Sequence, residues 1–162
     1  MKVLCVILIA VLMFCGCART ETFETVSDDL VLSAMAQPRQ IELTLPEDTV
    51  LPAMESENGI LYLCSGYDVA VQTMEGGDLD STIRQISGYG REDLTVMETA
   101  NDGLTCYEFV WTSAGELGEQ VGRASILDDG TYHYVLTATA DADDMEEYRE
   151  IWNGLFETFR LS

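Results

Sequence analysis

Alternation of apolar and polar residues marks the first regular element of the chain. Residues 41–45 read Ile-Glu-Leu-Thr-Leu, which has the period of a half-buried strand, and Pro46 ends the run. Two more apolar runs, 60–64 and 67–74, flank a Ser-Gly pair with turn character. The pattern therefore predicts three strands in the first half of the chain.

A helical pattern follows these strands. Leu79, Ile83 and Ile86 recur at spacings of four and three, so they lie on one face of a helix. Asp78 is a suitable N-cap, and two glycines, at positions 88 and 90, end the helix. We expect a short amphipathic helix here.

Four further strand-like runs indicate a meander built from two hairpins. The first pair, 94–99 and 104–112, flanks Asn-Asp-Gly, and the second pair, 120–127 and 131–139, flanks Asp-Asp-Gly. Asx-Gly pairs between such runs predict hairpins because both residues tolerate positive φ. A glycine-containing loop, 113–118, joins the two hairpins.

The widest apolar face belongs to a helix predicted near the end of the sequence. Asp141 is a suitable N-cap, and Asp144 and Glu146 lie near the positive end of the helix dipole. Apolar residues recur at spacings of three and four: Met145, Tyr148, Trp152, Leu155 and Phe159, with Ile151 and Phe156 beside them. A face this apolar is predicted to dock on the sheet as core and not to form a ligand site.

Consecutive hairpins predict an antiparallel sheet, and two amphipathic helices must cover it. The expected fold class is α+β, with a mainly antiparallel sheet of about seven strands covered by two helices. No later segment has the composition of a linker, so residues 40–162 are expected to form a single globular domain.

Three segments of this domain resemble the PsbP-like α/β/α sandwich, which occurs in extrinsic photosystem subunits and in exported bacterial lipoproteins. They are the opening run 41–46, the late strand 132–138 and the acidic-capped final helix ending at 155–159. The resemblance implies the sandwich fold. It implies no catalytic residue, because the family shares no catalytic machinery and a fold alone does not define function.

The first 17 residues have the layout of a secretory signal. Lys2 precedes twelve apolar residues, 3–14, and the run closes on Cys15-Gly16-Cys17. The apolar segment is shorter than the roughly 20 residues that a membrane-spanning helix needs. We therefore expect residues 1–16 to be a signal peptide.

The Gly16-Cys17 ending resembles the lipobox of bacterial lipoproteins, in which a small residue precedes a lipid-modified cysteine. The Phe-Cys pair before Gly16 departs from that pattern, which usually has Leu and a small residue there. The resemblance implies that Cys17 carries a diacylglyceryl group and an N-acyl chain, which anchor a tether of residues 17–39. Ordinary cleavage after residue 18 and retention as an uncleaved anchor are the alternatives.

Acidic residues dominate the chain beyond this signal. Lys2 is the only lysine, so residues 17–162 carry seven Arg against 29 Asp and Glu, a net charge of −22. Phosphates and anionic lipid headgroups repel such a domain, which excludes nucleic acid as a partner and leaves the lipid as the means of membrane attachment. The acidity can steer a basic partner or cations to the surface, or can serve solubility alone.

The number of cysteines is consistent with export. Two of the five leave with the signal and Cys17 takes the lipid, so Cys64 and Cys106 remain. These two could form one disulfide, or each could stay a buried free thiol in its apolar run. Two Cys and the single His133 fall short of the four ligands of a structural zinc site, so no metal is expected.

The sequence contains no recognisable catalytic motif. Cys106 and His133 could pair as a dyad, but neither lies near a nucleophile elbow or an oxyanion-hole motif. Glu108 could be a pocket acid, although an outward position on an edge fits its strand better. The acidic run 141–144 lacks the glycine and the glutamate of a calcium loop, and helix capping explains it.

These observations predict a non-catalytic binding or scaffold module in the cell envelope. It is expected to be lipid-anchored to the extracytoplasmic face of the membrane and to act on a protein partner that the sequence does not identify. No cofactor is expected. The alternative is an extracytoplasmic hydrolase-like enzyme with a carboxylate site of unfamiliar form.

Overall fold

Nine strands and two α-helices make up the part of the chain that the computed structural model describes, residues 37–50, 52–115 and 118–162. In chain order they are β1 (Ile41–Glu42), β2 (Pro52–Ser56), β3 (Gly59–Leu63), β4 (Tyr67–Glu75), α1 (Leu79–Ser87), β5 (Met97–Asn101), β6 (Leu104–Ala114), β7 (Glu119–Asp128), β8 (Tyr132–Asp141), α2 (Met145–Glu157) and β9 (Arg160–Leu161). Single 3₁₀ turns precede β5 at Arg91–Asp93 and α2 at Ala142–Asp144.

Seven of these strands form one antiparallel sheet in the order β2-β3-β4-β8-β7-β6-β5. Every neighbouring pair is joined by a hairpin connection except β4 and β8, which pair from Tyr67 with Ala140 to Glu75 with Tyr132. This long-range pairing unites the two halves of the domain at the centre of the sheet. The predicted α+β class, with about seven strands and two helices, is confirmed.

The strand predicted over residues 41–45 is wrong in extent and in place. Only Ile41–Glu42 pairs, with Arg160–Leu161 of β9, in a separate two-stranded ladder. Leu43 and Leu45 pack against the core without a strand partner. The seventh strand of the main sheet is β2 instead, an edge strand whose mostly exposed residues show no alternation.

The two helices cover opposite faces of the sheet. Alternate side chains of β8 point to opposite faces, so Tyr134 and Leu136 pack in one core cluster with Trp152 of α2. Val135 packs in a second cluster with Ile83 of α1. All five side chains are fully buried. The described domain is therefore an α/β/α sandwich with a core on each face.

Both predicted helices form, but only the first begins where expected. The Asp78 carboxylate caps α1 by accepting a hydrogen bond from the backbone N–H of Asp80 at 3.2 Å, and Gly88 ends the helix with a φ of 80°. The cap predicted at Asp141 is wrong, because the 3₁₀ turn Ala142–Asp144 intervenes and the Asp141 side chain makes no capping hydrogen bond.

The apolar face of α2 is core apart from one residue. Tyr148, Trp152, Leu155 and Phe156 are buried as predicted. Ile151, which the spacing placed beside them, is 37% exposed. The indole Nε1 of Trp152 has no hydrogen-bond partner among the described residues, so Trp152 contributes to the core through its apolar rings.

The predicted signal of residues 1–16, the lipid site Cys17 and most of the predicted tether 17–39 lie outside the described residues. Within the described ranges, neither α1 nor α2 is both long enough and apolar enough to cross a membrane.

Candidate functional site

Two surface grooves flank the segment that follows β1. The helix groove lies between this segment and α2 and has a volume of about 640 Å³. The sheet groove lies between the same segment and strands β3 and β4 and has a volume of about 350 Å³. Residues 44–48 and Ser65 form the loop wall of the helix groove, and the α2 wall consists of Glu147, Tyr148, Glu150, Ile151, Gly154 and Leu155.

Hydrogen bonds hold the loop wall in place at both ends. The Asp48 carboxylate accepts hydrogen bonds from the Tyr67 hydroxyl at 2.8 Å and from the backbone N–H of Ser65 at 3.2 Å. At the other end, the backbone N–H of Thr44 donates to Oγ1 of Thr158 at 3.1 Å. These hydrogen bonds fix the position of the loop wall relative to the rest of the domain, so the groove is preformed.

Tyr67 links the loop wall to α2. Burial raises the pKa of its hydroxyl well above the ordinary value, and the hydrogen bond to the Asp48 carboxylate raises it further. The hydroxyl therefore remains protonated and continues to donate to Asp48 at neutral pH. The Tyr67 ring packs on Tyr148 with the ring centroids 4.9 Å apart.

The α2 wall leaves open space at Gly154. Glu147, Ile151 and Gly154 follow one another at spacings of four and three, so they share a face of the helix. A Cβ atom placed on Gly154 would meet no atom within 4 Å. Glycine inside a helix costs about 1 kcal/mol relative to alanine. No close contact in the described structure requires this glycine, and the lack of a side chain there leaves that part of the groove open.

Carboxylates line both walls of the helix groove, and its lining contains no arginine. Glu47 and Asp48 lie on the loop wall, and Glu147 and Glu150 lie on α2. Within the described residues, none of these four carboxylates forms an ion pair with an arginine. The surface between them is apolar and is formed by Leu45, Pro46, Ile151 and Leu155.

The sheet groove has a different character. Its floor consists of Ile60, Tyr62 and Val71 from β3 and β4. Arg39 and Glu57 both line it, so it favours neither sign of charge. It is also the smaller of the two, and the helix groove is therefore the stronger candidate for a binding site.

His133 connects α1 to the sheet and is not part of either groove. It is 1% exposed, its Nδ1 lies 2.8 Å from Oγ1 of Thr82, and its Nε2 lies 3.8 Å from the carboxylate of Asp128. Cys106 belongs to the core on the α2 face, whereas the contact with Thr82 places His133 on the α1 face. The sheet therefore separates the two members of the Cys106–His133 dyad considered from the sequence, which excludes it.

The two cysteines of the domain are free thiols, so the Cys64–Cys106 disulfide is not formed. Cys64 follows β3 and Cys106 lies on β6, four strands away in the sheet order. Neighbouring strands lie about 4.8 Å apart, whereas a disulfide requires Cα atoms within about 7 Å. Burial raises the pKa of the Cys64 thiol, which makes it a poor thiolate nucleophile.

Glu108 belongs to a polar cluster beside α2. The edge position predicted for Glu108 is wrong, because β6 is not an edge strand. The Glu108 carboxylate lies 3.7 Å from the Arg123 guanidinium. That guanidinium also donates to Asn153 at 3.0 Å and lies 4.2 Å from the ring centroid of Phe156.

The acidic run 141–144 leads into α2 through its 3₁₀ turn. Among the described side chains, no group of three His, Cys, Asp or Glu converges as metal ligands would.

Sequence reasoning did not find the helix groove. It assigned Ile151 to the core, and it gave no role to Gly154. A glycine three residues after an apolar residue, inside a helix with a wide apolar stripe, was the available signal.

The fold is shared with solved structures at low sequence identity. Cyanobacterial PsbP (CyanoP) from Synechocystis sp. PCC 6803 has a TM-score of 0.51 at 9% identity, covering 78% of this chain and 95% of that one. LpqN, involved in cell envelope biogenesis of Mycobacterium tuberculosis, has a TM-score of 0.50 at 14% identity, covering 78% and 87%. The Ran-binding protein Mog1p of Saccharomyces cerevisiae has a TM-score of 0.52 at 9% identity, covering 75% and 89%.

A protein from Bacteroides thetaiotaomicron VPI-5482 also matches, with a TM-score of 0.50 at 10% identity over 75% of this chain, but the chain spans only 45% of that protein. The sequence itself matches no protein-family model and no curated protein. At these identities the likeness confirms the PsbP-like fold, and it carries no function with it.

Proposed function

We propose that this protein is a non-catalytic binding module, held by a lipid on Cys17 at the extracytoplasmic face of a cell membrane, and that the helix groove is its binding surface. The observation that carries the proposal is the groove itself, with a volume of about 640 Å³ and walls that combine an apolar surface with four carboxylates. Its volume and mixed lining are typical of ligand sites. Neither His133 nor a free thiol lies in its walls.

The anchoring half of the proposal rests on the first 17 residues and on the length of the tether. Twenty residues, 17–36, separate the expected lipid from the first described residue, Gln37. A chain of that length reaches at most about 70 Å. A partner confined to the same membrane within this reach meets the groove at a high effective concentration.

The shared fold is compatible with both halves of the proposal. One solved structure with this fold is described as Ran-binding, and another as involved in cell envelope biogenesis. A sandwich of this type therefore serves as a binding protein in one setting and belongs to an envelope process in another.

Intact-mass measurement of the protein extracted from its own membrane tests the anchor. The mature protein should begin at Cys17 and carry acyl mass, and Cys17→Ser should leave it unprocessed or release it. A protein that begins at residue 19 and accumulates in the medium would contradict the anchor.

Complementation of a deletion strain tests the absence of catalysis. His133→Gln and Glu108→Gln variants that accumulate to the parent level should restore the phenotype, and Cys17→Ser should not. An indispensable His133 or Glu108 in a stably folded protein, with a dispensable anchor, would favour the hydrolase-like alternative.

A further inference from the structure

The charge pattern of the helix groove specifies the chemistry of its occupant. Carboxylates lie on both of its walls, with Glu47 on the loop wall and Glu147 and Glu150 on α2. An anionic ligand would be repelled, and a purely apolar ligand would desolvate these carboxylates without giving them a counter-charge. A ligand that is apolar in the middle and cationic on both sides matches the apolar surface and the carboxylates together.

Building on the proposed function, we propose that the groove binds a basic, amphipathic segment of a protein partner. An apolar side chain of that segment would lie over Gly154 and against Ile151, where the helix leaves space. Lysine or arginine side chains on either side of it would pair with Glu47 on one wall and with Glu147 and Glu150 on the other.

Three other occupants fit the groove less well. The chain's own tether, residues 17–39, holds four acidic residues against two arginines, and a second copy of residues 17–162 would bring its own charge of −22. A metal ion needs several converging ligands, and the described side chains offer no such group. A basic protein segment is the occupant that the carboxylates attract.

Gly154 offers a way to close the groove without disturbing the fold. Because a Cβ at this position meets no atom within 4 Å, a larger side chain should be accommodated. That side chain would occupy the space intended for the partner's apolar residue. Gly154→Leu therefore separates binding from folding.

Binding of a fluorescein-labelled amphipathic peptide of leucine and lysine to the immobilised full chain tests the inference. The reference peptide has glutamate in place of lysine. Parent and variants are measured in the same neutral detergent, so partitioning of the peptide into detergent cancels in the comparison. Thermal melting confirms that each variant is folded.

The basic peptide should bind and the acidic peptide should not. Glu147→Gln with Glu150→Gln should weaken binding by roughly three- to tenfold. The matched control, Glu146→Gln with Glu157→Gln, removes the same charge from α2 outside the groove lining and should change the affinity less than about twofold. Gly154→Leu should abolish binding.

The inference is overturned if the basic peptide does not bind, if it binds no better than the acidic one, or if a folded Gly154→Leu variant binds as the parent does. The proposed function is tested separately by cross-linking in cells: if a partner still cross-links at the groove, only the basic, amphipathic character of that partner is refuted. If neither the peptide binds nor a partner cross-links, the proposed binding function is refuted as well.

Discussion

The Oγ1 atom of Thr82 lies 2.8 Å from Nδ1 of His133, and this contact joins α1 to the central pair of strands in the sheet. Both residues are buried. A hydroxyl and an imidazole that pair inside a protein satisfy each other, whereas either one alone would be an unsatisfied buried polar group. The single histidine of the chain is thus accounted for by packing.

Replacing Thr82 tests this contact. Thr82→Val keeps the shape of the side chain but leaves Nδ1 of His133 without its partner, so it should lower the free energy of unfolding by about 1–3 kcal/mol. Thr82→Ser keeps the hydroxyl and should cost less. Urea unfolding of both variants measures the difference. Equal decreases in the free energy of unfolding would show that the hydrogen bond to His133 does not stabilise the protein.

Trp152 tests the docking of α2. Trp152→Ala should cost about 3–5 kcal/mol, because it removes a fully buried indole from the larger core cluster. Trp152→Phe should cost less than half as much, since the lost N–H has no acceptor among the described residues. Calorimetry of both variants provides the comparison. A Trp152→Ala protein that melts with the parent would show that α2 does not dock as described.

Two glycines with opposite surroundings form a matched pair. A Cβ on Gly122 would collide with the indole of Trp111, which lies opposite it in the sheet, whereas a Cβ on Gly154 meets nothing within 4 Å. Gly122→Ala should therefore destabilise the protein by about 1–3 kcal/mol. Gly154→Ala should stabilise it by about 0.5–1 kcal/mol through helix propensity. If thermal unfolding shows that both substitutions raise the stability, or that both lower it, this geometry is contradicted.

Asp129 should make stability depend on pH. Partial burial raises the pKa of its carboxyl group, but hydrogen bonds from the backbone N–H groups of Tyr132 and Thr131 and from the Tyr134 hydroxyl outweigh burial and lower that pKa overall. A pKa below the unfolded value of about 3.9 means that the carboxylate stabilises the fold fully above that pH and loses its effect as the pH falls through the folded value.

Asp129→Asn should accordingly destabilise the protein by about 1–3 kcal/mol at neutral pH, with the difference from the parent shrinking as the pH falls below about 4. Urea unfolding across that range measures it. The exposed Asp143→Asn, measured in parallel, controls for the loss of one surface carboxylate. A difference between parent and Asp129→Asn that stays constant down to the lowest pH would refute the assignment.

Hydrophobic periodicity identified both helices because their buried faces recur at three and four residues, as Leu79, Ile83 and Ile86 show. It missed β2 because an exposed edge strand has no buried side to mark it. It also took Leu43 and Leu45 for strand residues, since a segment that packs on the core without pairing leaves the same alternation in the sequence.

The candidate site could not be predicted from the local pattern of apolar and polar residues. Its walls come from residues 44–48 and from α2, which are about 100 positions apart and are brought together only by the completed sandwich. The placement of His133 on a strand was predictable, because its neighbours Tyr132 and Tyr134 already indicated a strand. The total charge was predictable, but the placement of four carboxylates around one groove required the fold.

The central claim is that a partner binds the helix groove of the anchored protein, and site-specific photo-cross-linking in living cells tests it most directly. p-Benzoylphenylalanine is placed at Ile151, inside the groove, and in a control at Arg149, two residues or about 200° around the same helix. Position 151 should give one defined adduct that disappears with Gly154→Leu and with Cys17→Ser, and position 149 should not give it. The same adduct from both positions, or an adduct at 151 that survives Gly154→Leu in a folded protein, would contradict the claim.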